Sequence, residues 1–111
     1  MRHIVLVAGL LLTGSVLGAQ DTQVIERGKK VYTAQKCSLC HSIDGKGNKK
    51  GPLDNVGAKL SEEEIRQWIV NAPEMTKKTK AERKPVMKSY EKLPKEDIDA
   101  LVAYMQSLKK G

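Results

Sequence analysis

Apolar residues recur at helical spacing over residues 22–36 of this 111-residue chain, and charged residues fill most of the positions between them. The set comprises Val24, Ile25, Gly28, Val31 and Tyr32. Spacings of three and four place these residues on one face of an α-helix. Because glycine in a helix interior costs about 1 kcal/mol relative to alanine, Gly28 indicates either close packing against another backbone, which we favour, or a glycine that the helix simply tolerates.

A second helix is marked by its amino-terminal cap. Ser61 and Glu64 form a Ser-x-x-Glu capping box, in which each side chain accepts a hydrogen bond from the backbone N–H of the other residue. The helix is predicted over residues 61–71 and stops before Pro73. Its buried stripe includes Trp68, whose indole N–H needs a partner when buried.

A third helix is predicted over residues 94–110. Pro94 at its start, acidic residues in its first turn, and Lys109 and Lys110 in its last turn all suit the helix dipole. The apolar stripe consists of Ile98, Leu101, Val102, Met105 and Leu108, with Tyr104 beside it. These features predict an amphipathic helix with one face in the core.

Two segments between the helices lack helical periodicity. Residues 42–53 are rich in Gly and Lys and predict a loop. Residues 76–84 are basic and polar and end at Pro85, which predicts a solvated loop or a short exposed helix, and also a possible docking surface. Neither a repeat nor a second domain is evident.

The amino-terminal pattern is that of a secretory signal peptide. A basic start at residues 1–3 precedes an apolar run over residues 4–12, followed by small residues up to Ala19. The run is shorter than the roughly 20 residues of a membrane span, which favours cleavage over an uncleaved anchor. We expect a leader over residues 1–19, with its cleavage site left open, and one domain over residues 20–111 of an exported, periplasmic protein.

Composition adds two constraints. The chain has no Phe, one Trp and three Tyr, so that little aromatic surface is available for a core. A bound macrocycle would supply the missing apolar body. The net charge of +7 favours an acidic protein partner. Nucleic acid is not expected for an exported chain without a nucleic-acid module, and membrane contact would be peripheral at most.

The chemistry is concentrated in Cys37-Ser38-Leu39-Cys40-His41, the pattern of covalent haem c attachment. Each thiol can add to one vinyl group of the porphyrin, and His41 is carried to the iron as an axial ligand. Zinc would need about four ligands, yet His3 is the other histidine of the whole chain. A redox dithiol, a disulfide or a chance match remain as alternatives.

The other axial ligand decides what such a haem does. Met75 and Met87 both lie in irregular stretches, whereas Met105 falls on the helical stripe. Met87, between Pro85 and the last helix, is preferred over Met75, and a lysine such as Lys88 or an open site are the other possibilities. The carbonyl of Pro52 is a candidate acceptor for the second ring nitrogen of His41, and an ordinary Gly-Pro turn is the alternative for this pair.

With these residues the mature chain resembles the class I monohaem cytochromes c of the bacterial periplasmic type. The matching residues are Gly28, Tyr32, Cys37, Cys40, His41, Gly51, Pro52, Leu53, Trp68, Pro85, Val86, Met87, Leu101 and Tyr104. The resemblance implies a small all-α cytochrome c fold, with three main helices and loops around one covalent haem. One residue departs from the family pattern, because Lys88 stands where a proline commonly follows the methionine.

The resemblance also implies roles for these residues. The first and last helices cross through Gly28, Tyr32, Leu101 and Tyr104. The haem pocket is supported by Pro52, which accepts the hydrogen bond of His41, and by Trp68, and the iron is ligated by His41 and Met87. The expected function is that of a monomeric one-electron carrier without enzymatic activity. Open-site gas sensing, peroxidase-like chemistry and a subunit of a larger oxidoreductase are the alternatives.

Overall fold

Helices dominate this computed structural model, which describes residues 8–110 and, for side chains, residues 21–110. In chain order the elements are helix α1 (Ala8–Ala34), a 3₁₀ turn (Cys37–Leu39), strands β1 (Ser42–Ile43) and β2 (Lys46–Gly47), and helices α2 (Val56–Lys59), α3 (Glu62–Val70), α4 (Ala72–Thr79) and α5 (Lys95–Ser107). The predicted all-α class is confirmed.

The amino-terminal boundary of α1 differs from the prediction. Within the described residues the helix covers Ala8–Ala34, so it is already formed well before residue 22 and ends two residues earlier than expected. Lys36 ends it because its backbone is left-handed, with φ of 57°. The proposed leader falls partly on residues 1–7, outside the described residues, and its cleavage stays a prediction. Within the described part of the chain, no helix is both long enough and apolar enough to span a membrane.

Helices α1 and α5 cross at Gly28. A methyl group on Gly28 would collide with the carbonyl oxygen of Ala100 and lie 2.7 Å from Cβ of Tyr104. One turn further along α1, the rings of Tyr32 and Tyr104 meet edge to face, with centroids 5.8 Å apart and planes at 89°. The absence of a side chain at Gly28 therefore allows the two backbones to approach each other.

The core lies between α1, α3 and α5. Its buried members are Val31, Ile65, Ile69, Ile98, Leu101, Val102 and Met105. Outside this core, Arg66 of α3 donates a hydrogen bond of 2.8 Å to Asp99 of α5. Arg27 of α1 donates one of 2.9 Å to Asp97, near the start of α5. Helices α1 and α3 are thus each joined to α5 by an ion pair at the core margin.

The capping box at the start of α3 is confirmed. Ser61 accepts a hydrogen bond from the backbone N–H of Glu64, and Glu64 accepts one from the backbone N–H of Ser61. The helix ends at Val70, one residue before the predicted end. Pro73 then lies in the first turn of α4, where its missing N–H costs nothing. The first part of the basic segment, residues 76–79, is therefore helical. A short exposed helix was one of the two structures predicted for this segment.

The end of α5 was predicted too late. The helix stops at Ser107, so Lys109 and Lys110 lie beyond its last turn. The chain leaves the helix because its polar groups bond to the α2 region. The carbonyl of Leu108 accepts a 2.8 Å hydrogen bond from Gly57, and the backbone N–H of Lys110 donates to Asn55 over 2.9 Å.

Residues 42–53 contain a small hairpin where only a loop was predicted. Strands β1 and β2 pair antiparallel, and the two residues between them, Asp44 and Gly45, have φ of 53° and 78°. An Asp-Gly pair is the usual sequence of such a tight turn. The Asp44-Gly45 dipeptide was therefore a usable signal for a hairpin. The hairpin was missed because strands of two residues are too short to show an alternating hydrophobic pattern.

We expect Gly28→Ala to lower the free energy of unfolding of the haem-loaded protein, measured by denaturant titration. Overpacking against a backbone costs about 1–3 kcal/mol, which exceeds the gain of about 1 kcal/mol in helix propensity. Lys30→Ala, at an exposed position of the same helix, should change the stability by less than about 0.5 kcal/mol. Equal stability of Gly28→Ala and the wild type would contradict the proposed crossing.

Candidate haem site

One tight turn carries both cysteines and the histidine. The carbonyl of Cys37 accepts hydrogen bonds from the backbone N–H groups of Cys40, at 3.1 Å, and His41, at 3.0 Å. The turn starts directly after the left-handed residue Lys36, which redirects the chain away from the axis of α1. The 3₁₀ turn with its terminal i to i+4 hydrogen bond thus brings all three side chains close together.

The ring of His41 is oriented by a backbone carbonyl. Its Nδ1 lies 3.1 Å from the carbonyl oxygen of Gly51. Since a carbonyl can only accept, this hydrogen bond requires the proton on Nδ1, and Nε2 keeps a free lone pair. Burial lowers the pKa of His41, the charge of Arg83 lowers it further, and the hydrogen bond to Gly51 opposes both. The imidazole is therefore held in the neutral form that ligates metals.

The expected acceptor, Pro52, is not the one used. Gly51 precedes it and accepts from both His41 and the backbone N–H of Ser42, at 3.0 Å. The reason is the parallel bridge between Ser42 and Pro52. Successive carbonyls alternate in direction along extended backbone, so that the Gly51 carbonyl faces the His41 segment and that of Pro52 points away. The sequence prediction was wrong by one residue.

The two thiols are unpaired and differ in exposure. Cys40 is exposed and Cys37 is partly buried, and burial raises the pKa of Cys37 to about 11. A reactive dithiol needs a lowered thiol pKa, so this environment disfavours the redox-dithiol alternative. Within residues 8–110, no cluster of three or more His, Cys, Asp or Glu side chains is arranged for a metal ion.

A cavity of about 700 Å³ adjoins this turn. Cys37, Cys40 and His41 form part of its wall, and the remaining lining is largely apolar, from Leu53, Leu60, Ile65, Trp68, Ile69 and Leu101 among others. The volume lies within the range of about 300–1,000 Å³ typical of cofactor sites. An apolar slot with two thiols and one imidazole on its wall fits a covalently attached haem.

The methionines differ in their relation to the cavity. Met87 and Met105 line it, and Met75 is not among the lining residues. Met105 is a core residue with 6% of its surface exposed. Lys88, the alternative ligand, also lines the cavity, but its Nζ lies 5.2 Å from the ring centroid of Tyr90 in a cation–π contact.

The segment that carries Met87 is fixed on its carboxyl-terminal side. Ser89 donates a hydrogen bond of 2.6 Å to the carbonyl of Val70, and the backbone N–H of Tyr90 donates one of 2.9 Å to the carbonyl of Ile69. Both acceptors lie in the last turn of α3. These bonds satisfy carbonyls that the end of a helix leaves free and hold the methionine segment across the cavity.

Two polar groups on the wall have no hydrogen-bond partner within the described part of the chain. The hydroxyl of Tyr32 is buried, and burial raises the pKa of this phenol to about 12. The indole of Trp68, which is partly buried and also lines the cavity, makes no hydrogen bond there either. Because buried polar groups are usually satisfied, the buried hydroxyl of Tyr32 suits a site that a further molecule completes, and the sequence had not indicated this need.

Gly51 and Arg83 are the site residues that sequence reasoning missed. Gly51 is the acceptor for His41, and Arg83 lies beside it although the two are far apart in the chain. For Gly51 the Gly-Pro pair was a usable signal, but the prediction chose the carbonyl of Pro52 and not that of the glycine before it. For Arg83 the sequence offered only one more cation in a basic segment.

Crossed terminal helices, with a Cys-x-x-Cys-His turn facing an apolar cavity, define a small c-type haem protein. Residues 25–109 match the sequence model of the family described as cytochrome c, and the chain belongs to that family. The cofactor of the family is a covalently bound haem c, and Cys37 and Cys40 occupy the attachment positions.

One curated relative is the protein called cytochrome c oxidase subunit 2 from Alkalihalophilus pseudofirmus. It is 30% identical over 92 residues, which cover 75% of this chain and 25% of the relative. The chain therefore spans about a quarter of the length of that protein. No solved structure matches the chain.

We expect haem to remain bound to the wild-type protein under denaturing conditions, as measured by mass spectrometry and haem staining of denaturing gels. Cys37→Ala and Cys40→Ala should each keep the haem through one remaining thioether. The double variant should lose it on denaturation. Ser38→Ala, in the same turn, serves as the control and should retain haem as the wild type does. Covalent haem in the double variant would refute attachment at these two cysteines.

Proposed function

We propose that this protein is a one-electron carrier whose haem iron is ligated by His41 and Met87. The observation that supports it most directly is that both side chains line one cavity while Met75 does not. A thioether and an imidazole as the two ligands would give a closed site with a raised reduction potential. Such a site favours electron transfer over substrate binding, so that no enzymatic activity is proposed.

Haem c supplies an iron that accepts or releases a single electron without transfer of an atom. The chain's own residues orient the two proposed ligands. The carbonyl of Gly51 keeps the proton of His41 on Nδ1, which leaves Nε2 for the iron and raises the basicity of the ligand. Ser89 and Tyr90 hold the Met87 segment against α3. The largely apolar walls would limit the access of water to the haem.

The proposed partner is a redox protein with an acidic face. Residues 76–88 contain six lysines or arginines and one glutamate, and of these cations only Lys77 has an ion-pair partner within the described residues. Two apolar residues of the cavity wall are exposed, Val86 within this segment by 42% and Leu39 in the haem-attachment turn by 70%. An apolar contact surrounded by cations suits brief, electrostatically guided docking.

We further propose that the carrier is exported, loses residues 1–19 and acts in the periplasm as a soluble monomer. A second candidate is a cytochrome subunit of a larger oxidoreductase. The similarity to part of an oxidase subunit favours it, since that relative is named as a component of such an assembly. Copurification with further subunits would support the second candidate, and isolation as a free monomer the first.

The ligand assignment predicts a spectroscopic difference between two methionine variants. The ferric wild-type protein should have a weak sulfur-to-iron charge-transfer band. Met87→Ala should abolish it and make the ferrous protein bind carbon monoxide rapidly. Met75→Ala is the matched control, because Met75 does not line the cavity, and should keep the band. A wild type without the band would favour an open site or lysine ligation.

Steering by the basic segment predicts opposite salt effects for oppositely charged oxidants. Oxidation of the ferrous protein by ferricyanide, followed by stopped flow, should slow as ionic strength rises, whereas oxidation by tris(phenanthroline)cobalt(III) should accelerate. Lys78→Glu should slow the ferricyanide reaction at low salt by several-fold. Lys30→Glu, on the outer side of α1, should change it less. Equal effects of the two substitutions would argue against a localised docking surface.

A further inference from the structure

Arg83 connects the two segments that carry the proposed axial ligands. It precedes Met87 by four residues, yet its guanidinium lies against Gly51, the residue that orients His41. A methyl group on Gly51 would collide with Nη1 of Arg83 and lie 3.0 Å from its Cζ. The missing side chain of Gly51 thus leaves the space that the guanidinium occupies.

The positive charge of Arg83 is not neutralised locally. Across the described residues, its guanidinium forms neither an ion pair nor a hydrogen bond with another side chain. It lies instead against Gly51, whose carbonyl accepts the hydrogen bond of His41. Lys84, the next residue, carries the same charge but does not line the cavity, so that the two neighbours differ in their relation to the histidine.

We propose that Arg83 is a positioning residue that raises the reduction potential of the haem by holding a positive charge against the Gly51–His41 hydrogen bond. This inference rests on the proposed electron-transfer function. Arg83 acts through His41, so that its proposed role does not depend on which group is the second ligand of the iron.

The physical reason is the change in charge on the iron. The oxidised iron carries one more positive charge than the reduced iron, and a nearby cation therefore disfavours the oxidised state. The hydrogen bond from His41 to Gly51 makes the imidazole a stronger donor to the iron, which favours the oxidised state. A guanidinium beside the accepting carbonyl withdraws electron density from it and weakens that effect. Because Arg83 is largely exposed, solvent and salt reduce the size of the shift.

The test is a spectroelectrochemical titration of four haem-loaded proteins: wild type, Arg83→Gln, Arg83→Lys and Lys84→Gln. Arg83→Gln should shift the reduction potential to more negative values, and Lys84→Gln, which removes the same charge one residue away, should shift it less. Arg83→Lys should lie between wild type and Arg83→Gln. The difference between the two glutamine variants should decrease at high ionic strength.

Equal shifts in Arg83→Gln and Lys84→Gln, or an unchanged potential in Arg83→Gln, would overturn the proposal. The sulfur-to-iron band is recorded for every protein. If the wild type lacks the band, the proposed Met87 ligation fails, but the comparison of the two glutamine variants still decides the role of Arg83. If Arg83→Gln alone loses the band, Arg83 holds the Met87 segment rather than setting the potential through His41, and the proposal is overturned.

Discussion

The chain has too few large apolar side chains to fill its own centre, and this constraint explains much of the structure. It contains no Phe and one Trp, and its buried core lies between α1, α3 and α5. Beside that core is a cavity of about 700 Å³. Left unfilled, an apolar cavity forfeits dispersion contacts along its walls. A haem attached to Cys37 and Cys40 restores them, so that the cofactor completes the core as well as the redox site.

The sequence predicted the helices well wherever their signals were local. The capping box of Ser61 and Glu64 lies within four residues and marks the start of α3 correctly. The close approach at Gly28 was inferable because glycine is unfavourable inside a helix without a packing reason. Other errors arose where distant contacts decide the backbone. Helix α5 ends early because Leu108 and Lys110 bond to the α2 region, and no feature of the last ten residues encodes that contact.

The residues of the site show the same difference between local and distant signals. Spacing alone identified Cys37, Cys40 and His41, since one turn holds them together. The acceptor for His41 was misplaced by one residue because the direction of a carbonyl depends on the pairing of Ser42 with Pro52, which spacing does not specify. The position of Arg83 beside Gly51 results from how the methionine segment crosses the fold. Tertiary placement of this kind requires coordinates.

The crossing of α1 and α5 also imposes an order of events during synthesis. Arg27 and Asp97, which join the two helices, are 70 residues apart in the chain. A contact between such distant segments forms only after the second segment exists. The chain entropy lost in closing the loop must be overcome before the contact stabilises the fold. Until α5 has been made, the turn with Cys37 and Cys40 belongs to an open chain. Because this helix follows the haem-attachment turn in the chain, the presentation of the thiols and the closing of the pocket around them are separated in time.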